Sequence, residues 1–189
     1  MTSTRELWLV RHGETEWSRT GRHTSTTDLP LSAAGEAAAR ALRSRLAGRD
    51  FVRVLTSPRE RARRTAALAG FPDAVPDERL VEWDYGEYEG MTTPEIRRSV
   101  PGWTVWTHGA PGGETADELA ARLDAVIADV RATDGAVLVF GHGHALRALA
   151  ARWLGLPVAA GRQFALDTGT VSVLGFEREE PAVRRWNCG

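Results

Sequence analysis

The chain contains no lysine: all 24 of its basic residues are arginine. That excludes Schiff-base chemistry on a lysine amine. It also excludes lysine from any anion-binding role. A single cysteine, Cys188, stands beside the C-terminus. It rules out a disulfide within the chain and a cysteine metal cluster, and it fits a reducing compartment. No stretch reaches the ~18 apolar residues of a membrane span. The opening Met1-Thr2-Ser3-Thr4-Arg5-Glu6 carries no apolar leader region, so the sequence reads as cytoplasmic with no membrane partner. The formal net charge of −1 argues against a broad nucleic-acid surface.

What is present is ordinary for a folded enzyme. The 189 residues, 42% of them hydrophobic, suffice for one domain over 1–189 with a sizeable core. Short apolar runs at 7–10, 51–55 and 136–140 read as buried strands, and 170–176 with 182–186 as two closing strands. Between them lie helical patterns: 33–46 behind the cap Ser32, a very basic stretch from Arg59, a start at Thr92/Thr93-Pro94-Glu95, and 145–154. Thr115-Ala116-Asp117-Glu118 is a capping box, followed by Leu119, Leu123, Val126, Ile127 and Val130 on one helical face. Residues 71–81 read as a loop with a short extended piece. Alternating strands and helices predict an α/β fold with a mainly parallel sheet covered by helices. The polar segment 17–31 and the Gly/Pro-rich segment 99–114 read as lids.

Chemistry concentrates at two strand ends. Arg11-His12-Gly13-Glu14 follows the first run, and Gly141-His142-Gly143-His144 follows 136–140. Open α/β sheets keep ligand sites at such ends. A polar strand-end residue bonded to a nearby loop is the plainer reading of His12. The matching His142 and the adjacent Arg11 favour a site. A neutral imidazole is a competent nucleophile, a guanidinium beside it disfavours protonation, and arginine suits phosphate oxygens. Gly13 and Gly143 would let backbone approach an anion. Ser57-Pro58-Arg59-Glu60-Arg61-Ala62-Arg63-Arg64-Thr65 follows the second strand. Most of its arginines read as a solvated helix face, with one admitted to the pocket and the helix N-terminus turned toward the anion. Glu82 opens an aromatic segment, Trp83-Asp84-Tyr85. Apolar surroundings there would keep it protonated as a general acid, with Asp84, Glu87 and Glu89 as competitors. A metal reading rests on the five histidines 12, 23, 108, 142 and 144, His142-x-His144 above all. Arginines aimed at the same place argue against it.

Taken in order, these motifs resemble the histidine phosphatase superfamily, which contains the cofactor-dependent phosphoglycerate mutases. The resemblance rests on Leu7-Trp8-Leu9-Val10-Arg11-His12-Gly13-Glu14-Thr15-Glu16-Trp17, Leu55 to Thr65, Glu82-Trp83-Asp84-Tyr85-Gly86-Glu87-Tyr88-Glu89-Gly90, and Phe140 to Arg147. It implies a three-layer α/β/α sandwich of the phosphoglycerate mutase-like type and a phosphoric monoester hydrolase. His12 would become the phosphohistidine. Arg11, Arg61 and His142 would hold phosphoryl oxygens, and Glu82 would serve as acid and then base. Ser18, Thr24 and Ser25 match substrate-contacting positions, with Ser18 where many members have asparagine and Ser25 in place of glycine. Tyr85, Gly143, His144 and Arg147 complete the implied substrate site, the last two for a second phosphate or sugar hydroxyls. The nearest branch comprises small acid phosphatases and the fungal sedoheptulose-bisphosphatase type. The mutases clamp a carboxylate with a lysine and an arginine pair. This chain lacks the lysine, and its Arg97-Arg98 lies in a shorter segment, which favours hydrolysis. The implied partner is a small phosphate ester, here a sugar phosphate or bisphosphate, with no cofactor and no metal. Phosphoglycerate mutase and a non-catalytic phosphate-binding regulatory domain are the alternatives. The tryptophan-rich segments would bury either a second copy, in a homodimer, or only the lid.

Overall fold

A computed structural model describes residues 5–189. The segment Met1–Thr4, read above as free of an apolar leader, lies outside the described residues. Six strands form one mixed, mostly parallel sheet: β1 (Glu6–Arg11), β2 (Phe51–Thr56), β3 (Val75–Pro76), β4 (Ala136–Gly141), β5 (Val171–Glu177) and β6 (Glu180–Cys188), in the order β3-β2-β4-β1-β5-β6. β1 to β4 run parallel, and β5 returns antiparallel between β1 and β6.

The alternation of β1 builds two cores. Leu7 and Leu9 point into one apolar cluster, Trp8 and Val10 into the other. β4 divides its side chains the same way, with Val137 and Val139 on one face and Leu138 and Phe140 on the opposite face. Such a strand reads as a continuous apolar run because both its faces are covered. α2 (Ala33–Leu46) and α3 (Glu60–Leu68) cover the Trp8 face, where Leu42, Leu46 and Ala66 pack. α6 (Ala116–Arg131) and α7 (Gly143–Trp153) cover the other, with the predicted stripe Leu119, Leu123, Val126, Ile127 and Val130 turned inward. This is the three-layer α/β/α sandwich.

Register positions the site. β1 and β4 pair so that Arg11 stands opposite Gly141, and His12 donates its N–H to the Gly141 carbonyl at 3.0 Å. The residue after each strand is a histidine, so His12 and His142 emerge side by side. β2 ends beside them, since Ser57 N–H donates to the Phe140 carbonyl at 2.9 Å.

The segment 17–31 is not wholly loop. It begins inside α1 (Glu16–Thr20), capped by a reciprocal Thr15/Ser18 box and closed by Gly21 at φ +73°. Five residues show no apolar period, which is why the pattern hides this helix. Of the other short helices, α4 (Thr93–Ser99) leads into the 99–114 segment and α5 (Val105–His108) lies within it.

Candidate active site

His12, Arg11, Ser18, Thr24, Glu82, Tyr85, Gly143, His144 and Arg147 line one cavity of about 170 Å³ at the carboxyl edge of the sheet. Gly21, Arg22 and His23 complete its wall.

The His12 ring is buried and its tautomer is set. Its Nδ1 lies 2.7 Å from the Gly13 carbonyl, which can only accept, so the proton sits on Nδ1. Nε2 has no hydrogen-bond partner among the described residues. Burial, then the Arg61 and Arg11 charges, hold His12 well below the ordinary imidazole range. The ring is therefore neutral, with its Nε2 lone pair available.

His142 packs against His12, ring centroids 5.1 Å apart. Arg61 Nε donates to its Nδ1 at 3.2 Å, and its Nε2–H donates to Ser57 Oγ at 2.7 Å. Both ring nitrogens are thus used within the protein. Burial, followed by the Arg61 charge, keeps this ring neutral too. With Nδ1 accepting from a guanidinium, His142 has no nitrogen free for a cation. Among the described residues no group of three or more histidine, cysteine, aspartate or glutamate side chains could hold a metal ion.

Of the four arginines after β2, Arg61 alone is fully buried, while Arg63 and Arg64 are exposed. Arg61 donates to the Thr24, Ser25 and Thr27 carbonyls as well as to His142. Neither Arg61 nor His142 reaches the cavity wall; they form the layer behind His12. Arg11 does reach it. Its Nη1 donates to the Leu166 carbonyl, and its buried Nε has no partner.

Glu82 departs from its sequence reading. Its surroundings are polar, not apolar. Oε1 accepts the N–H groups of Trp83 (2.9 Å) and Ala145 (2.7 Å), and Oε2 that of His144 (3.0 Å). The carboxylate sits on the N-terminus of α7, where the helix leaves N–H groups unpaired. Arg122, from α6, donates to the carbonyls of Arg79 and Glu82 and so fixes the backbone that carries it. The N-terminus of α3 is not free for an anion either, because Asp28 accepts the Glu60 N–H at 2.9 Å.

Other positions are also corrected. Ser25 is buried away from the cavity, its hydroxyl 2.6 Å from Glu89. Ser18 lines the cavity, but its hydroxyl accepts from the Thr15 N–H and donates to the Thr15 carbonyl, so its one donor is spent. Gly13 is required by protein rather than ligand: a Cβ there would lie 2.4 Å from the Gly35 carbonyl oxygen. Gly143 leaves room for Arg11, whose Cζ would be 3.3 Å from a Cβ.

Outside this charged layer the wall is aromatic. Tyr85 and His144 share a 2.6 Å hydrogen bond between the phenol oxygen and Nδ1. His23 lies against Tyr85, Trp103 and His144, with centroid distances of 4.8, 5.2 and 5.9 Å. Trp106 packs on His144 at 5.1 Å and beneath the Arg147 guanidinium at 4.8 Å. Arg147 also donates to the Gly161 and Arg162 carbonyls. Burial holds both rings down, His144 well below its usual range and His23 at about 4. The sequence marks His23 only among five possible metal ligands and gives Arg22 and Ser57 no site role; the nearness of 22 and 23 to Thr24, and the place of Ser57 just before Arg59 and Arg61, are the available signals.

An arginine-flanked neutral imidazole and a carboxylate facing one small cavity, at the carboxyl edge of a three-layer sheet, define a phosphoryl-handling α/β enzyme. The chain belongs to the histidine phosphatase superfamily, branch 1, whose family model matches residues 7–189. It is 44% identical over 176 residues to an acid phosphatase of Mycobacterium tuberculosis, covering 90% of this chain and 86% of that protein. It is 40% identical over 185 residues to the sedoheptulose 1,7-bisphosphatase of Saccharomyces cerevisiae, covering 79% and 68%. The solved structure of an open reading frame of Mycobacterium tuberculosis superposes with a TM-score of 0.93 at 40% identity over 97% of both chains. That of a mycobacterial glucosyl-3-phosphoglycerate phosphatase superposes at 0.87, with 28% identity over 98% of this chain and all of that one. The protein is a phosphoric monoester hydrolase.

Proposed function

We propose a metal-independent phosphomonoesterase that hydrolyses small phosphorylated metabolites, sugar phosphates or bisphosphates, through a phosphohistidine on His12. The observation that carries this reading is the His12 tautomer: Nδ1–H tied to Gly13 and Nε2 unpartnered in the cavity. Nε2 attacks phosphorus and the bond to the ester oxygen breaks. Glu82 passes a proton to the departing alcohol, its carboxyl being the acidic group on the cavity wall. The Glu82 carboxylate then takes a proton from water as that water attacks the phosphohistidine, which releases phosphate and restores both groups.

Arg11 is the direct phosphoryl donor, because its guanidinium, unlike that of Arg61, lines the cavity. Arg61 acts through its charge, because four hydrogen bonds commit it to the protein. His142 donates to a phosphoryl oxygen only when its Nε2–H leaves Ser57. Tyr85, His144 and Arg147 meet the alcohol portion, Arg147 taking a second phosphate. The names of the relatives, one a sugar bisphosphatase and one a phosphatase of a glucosylated phosphoglycerate, support this substrate class.

The test is phosphate release, in the presence of a chelator, from a panel of sugar phosphates, sugar bisphosphates and 3-phosphoglycerate, with 31P NMR of the quenched enzyme. Release with an acid-labile phosphoenzyme that His12→Ala lacks is expected. Loss of activity with the chelator would overturn metal independence. Interconversion of phosphoglycerates on addition of 2,3-bisphosphoglycerate, without release, would make the protein a mutase.

A further inference from the structure

Arg61 carries a buried positive charge next to two histidines, and no carboxylate touches it closely. Asp28, its nearest acidic partner, is 3.8 Å away and 43% exposed. The guanidinium is instead held by three carbonyls of one loop: Thr27 at 3.0 Å from Nη1, Thr24 and Ser25 each at 3.2 Å from Nη2. The same loop is held on its other side by Glu89. The Ser25 N–H donates to both Glu89 oxygens at 2.9 Å, the Ser25 hydroxyl to Oε2 at 2.6 Å, and the Thr27 N–H to Oε1 at 3.0 Å.

The Thr24 carbonyl and the Ser25 N–H belong to one peptide unit. A trans peptide points these two groups in opposite directions. That single unit therefore lies between the Glu89 carboxylate and the Arg61 guanidinium, N–H to the anion and C=O to the cation. Its dipole, roughly 3.5 D, is aligned with the field of both charges. Hydrogen bonds in such a chain polarise one another.

We infer that Glu89 is a positioning residue for the phosphoryl site, coupled to Arg61 through the Thr24–Ser25 peptide unit. The inference rests on the proposed assignment of Arg61 to the phosphoryl group. The arrangement solves a conflict. A carboxylate in direct contact would fix Arg61 but neutralise the charge that an incoming phosphate needs. Through one peptide, Glu89 fixes the guanidinium without touching it, so the charge at the site is offset only by the long 3.8 Å pairing with Asp28. Residues just beyond Glu89 brace the loop's start, the Gly90 N–H donating to the His23 carbonyl and the His23 N–H to the Met91 carbonyl.

The test is the inhibition constant of inorganic phosphate against p-nitrophenyl phosphate hydrolysis by the full chain, with far-UV circular dichroism and Tm recorded alongside. Glu89→Gln replaces one charged acceptor by an amide NH2 that faces N–H donors. It should raise the phosphate Ki about tenfold, the scale of one charge-assisted hydrogen bond. The ratio of rates on alkyl and aryl phosphates, which reports Glu82, should stay unchanged. Glu89→Asp keeps the charge but retracts it, and should raise Ki by about threefold. A purely structural role predicts a lower Tm with Ki unmoved, and that result in folded Glu89→Gln overturns the inference. Should Glu89→Gln fail to fold, Glu89→Asp decides: an unchanged Ki overturns it. A wild-type chain that hydrolyses nothing would bring down the phosphatase assignment with it, whereas active variants with wild-type Ki bring down the positioning role alone.

Discussion

The inner and outer halves of the cavity keep their histidines neutral in two different settings. In the inner half, His12 and the His142 that packs behind it are buried and flanked by arginine, and every polar contact on them is directional: a carbonyl, a guanidinium N–H, a hydroxyl. In the outer half, His23 and His144 are held mainly by ring packing among Tyr85, Trp103 and Trp106. The inner half hangs from strand ends whose register is set by the sheet. The outer half comes from the 21–27 loop, the 82–91 segment, the first turn of α7 and α5 in the 99–114 segment. Chemistry that needs tight geometry is placed on rigid elements, and contact with the variable part of a substrate is left to loops.

Breaking the inner half should cost most. His12→Ala removes the only unpartnered imidazole nitrogen of that half and should lower turnover by at least about 10⁴-fold. Steady-state rates on p-nitrophenyl phosphate, with circular dichroism to confirm the fold, check this, and substantial residual hydrolysis would remove the nucleophile. Glu82→Gln sits at the border of the halves and should separate them. Alkyl phosphates should slow by about 10²- to 10³-fold and p-nitrophenyl phosphate by less than about tenfold, since its phenolate leaves with little protonation. Equal losses on both would exclude proton donation by Glu82.

The two halves also differ in how far the sequence discloses them. Strands β1 and β4 are legible because residues buried on both faces leave an unbroken apolar run, and the strand-end histidines follow directly. α6 is legible from Thr115 and Glu118 together with its 3.6-residue stripe. Partners that depend on side-chain direction are not. Glycine at position 13 reads as backbone offered to an anion, while the close neighbour is Gly35, twenty-two residues away in sequence and brought there by α2. Glu82 reads as apolar because its sequence neighbours are aromatic, yet its oxygens meet α7, some sixty residues later. Ser25 reads as a ligand contact from its place beside Thr24, but its hydroxyl is turned to Glu89. Motif spacing carries which residues gather; it does not carry which of them face one another.

Lowering pH sharpens the comparison through stability. Burial holds His23 at about 4, against an ordinary imidazole value of 6.5. Between those values the unfolded chain binds a proton that the folded chain refuses, so stability falls as pH drops from about 6.5 to about 4. Over the whole window the loss from this one group is about 3 kcal/mol. His23→Gln should make that part of a Tm-against-pH curve less steep without abolishing it, because His144, His12 and His142 are also held well below their ordinary range. The inner histidines, more deeply buried, shift the same way, and His12 in particular should stay a neutral nucleophile well below pH 6.5. Catalysis should therefore persist into acid where the buried histidines of both halves have begun to destabilise the fold, and an activity that fell in step with His23 protonation would contradict the separation.

The smallest effect concerns the outermost residue. Arg147 is fixed by the Gly161 and Arg162 carbonyls and by Trp106, so its guanidinium is already ordered before a ligand arrives. Pre-ordering lowers the cost of binding an anion there. Arg147→Met keeps a stem on Trp106 and removes the charge together with the two hydrogen bonds to the Gly161 and Arg162 carbonyls. It should raise KM for a sugar bisphosphate by about tenfold, while methyl and p-nitrophenyl phosphate, which do not extend that far, change by less than about twofold. The split matters more than either number. A loss shared by all three substrates would mean that Arg147 serves the fold through its two carbonyls, and that the outer half selects substrates by its aromatic rings alone.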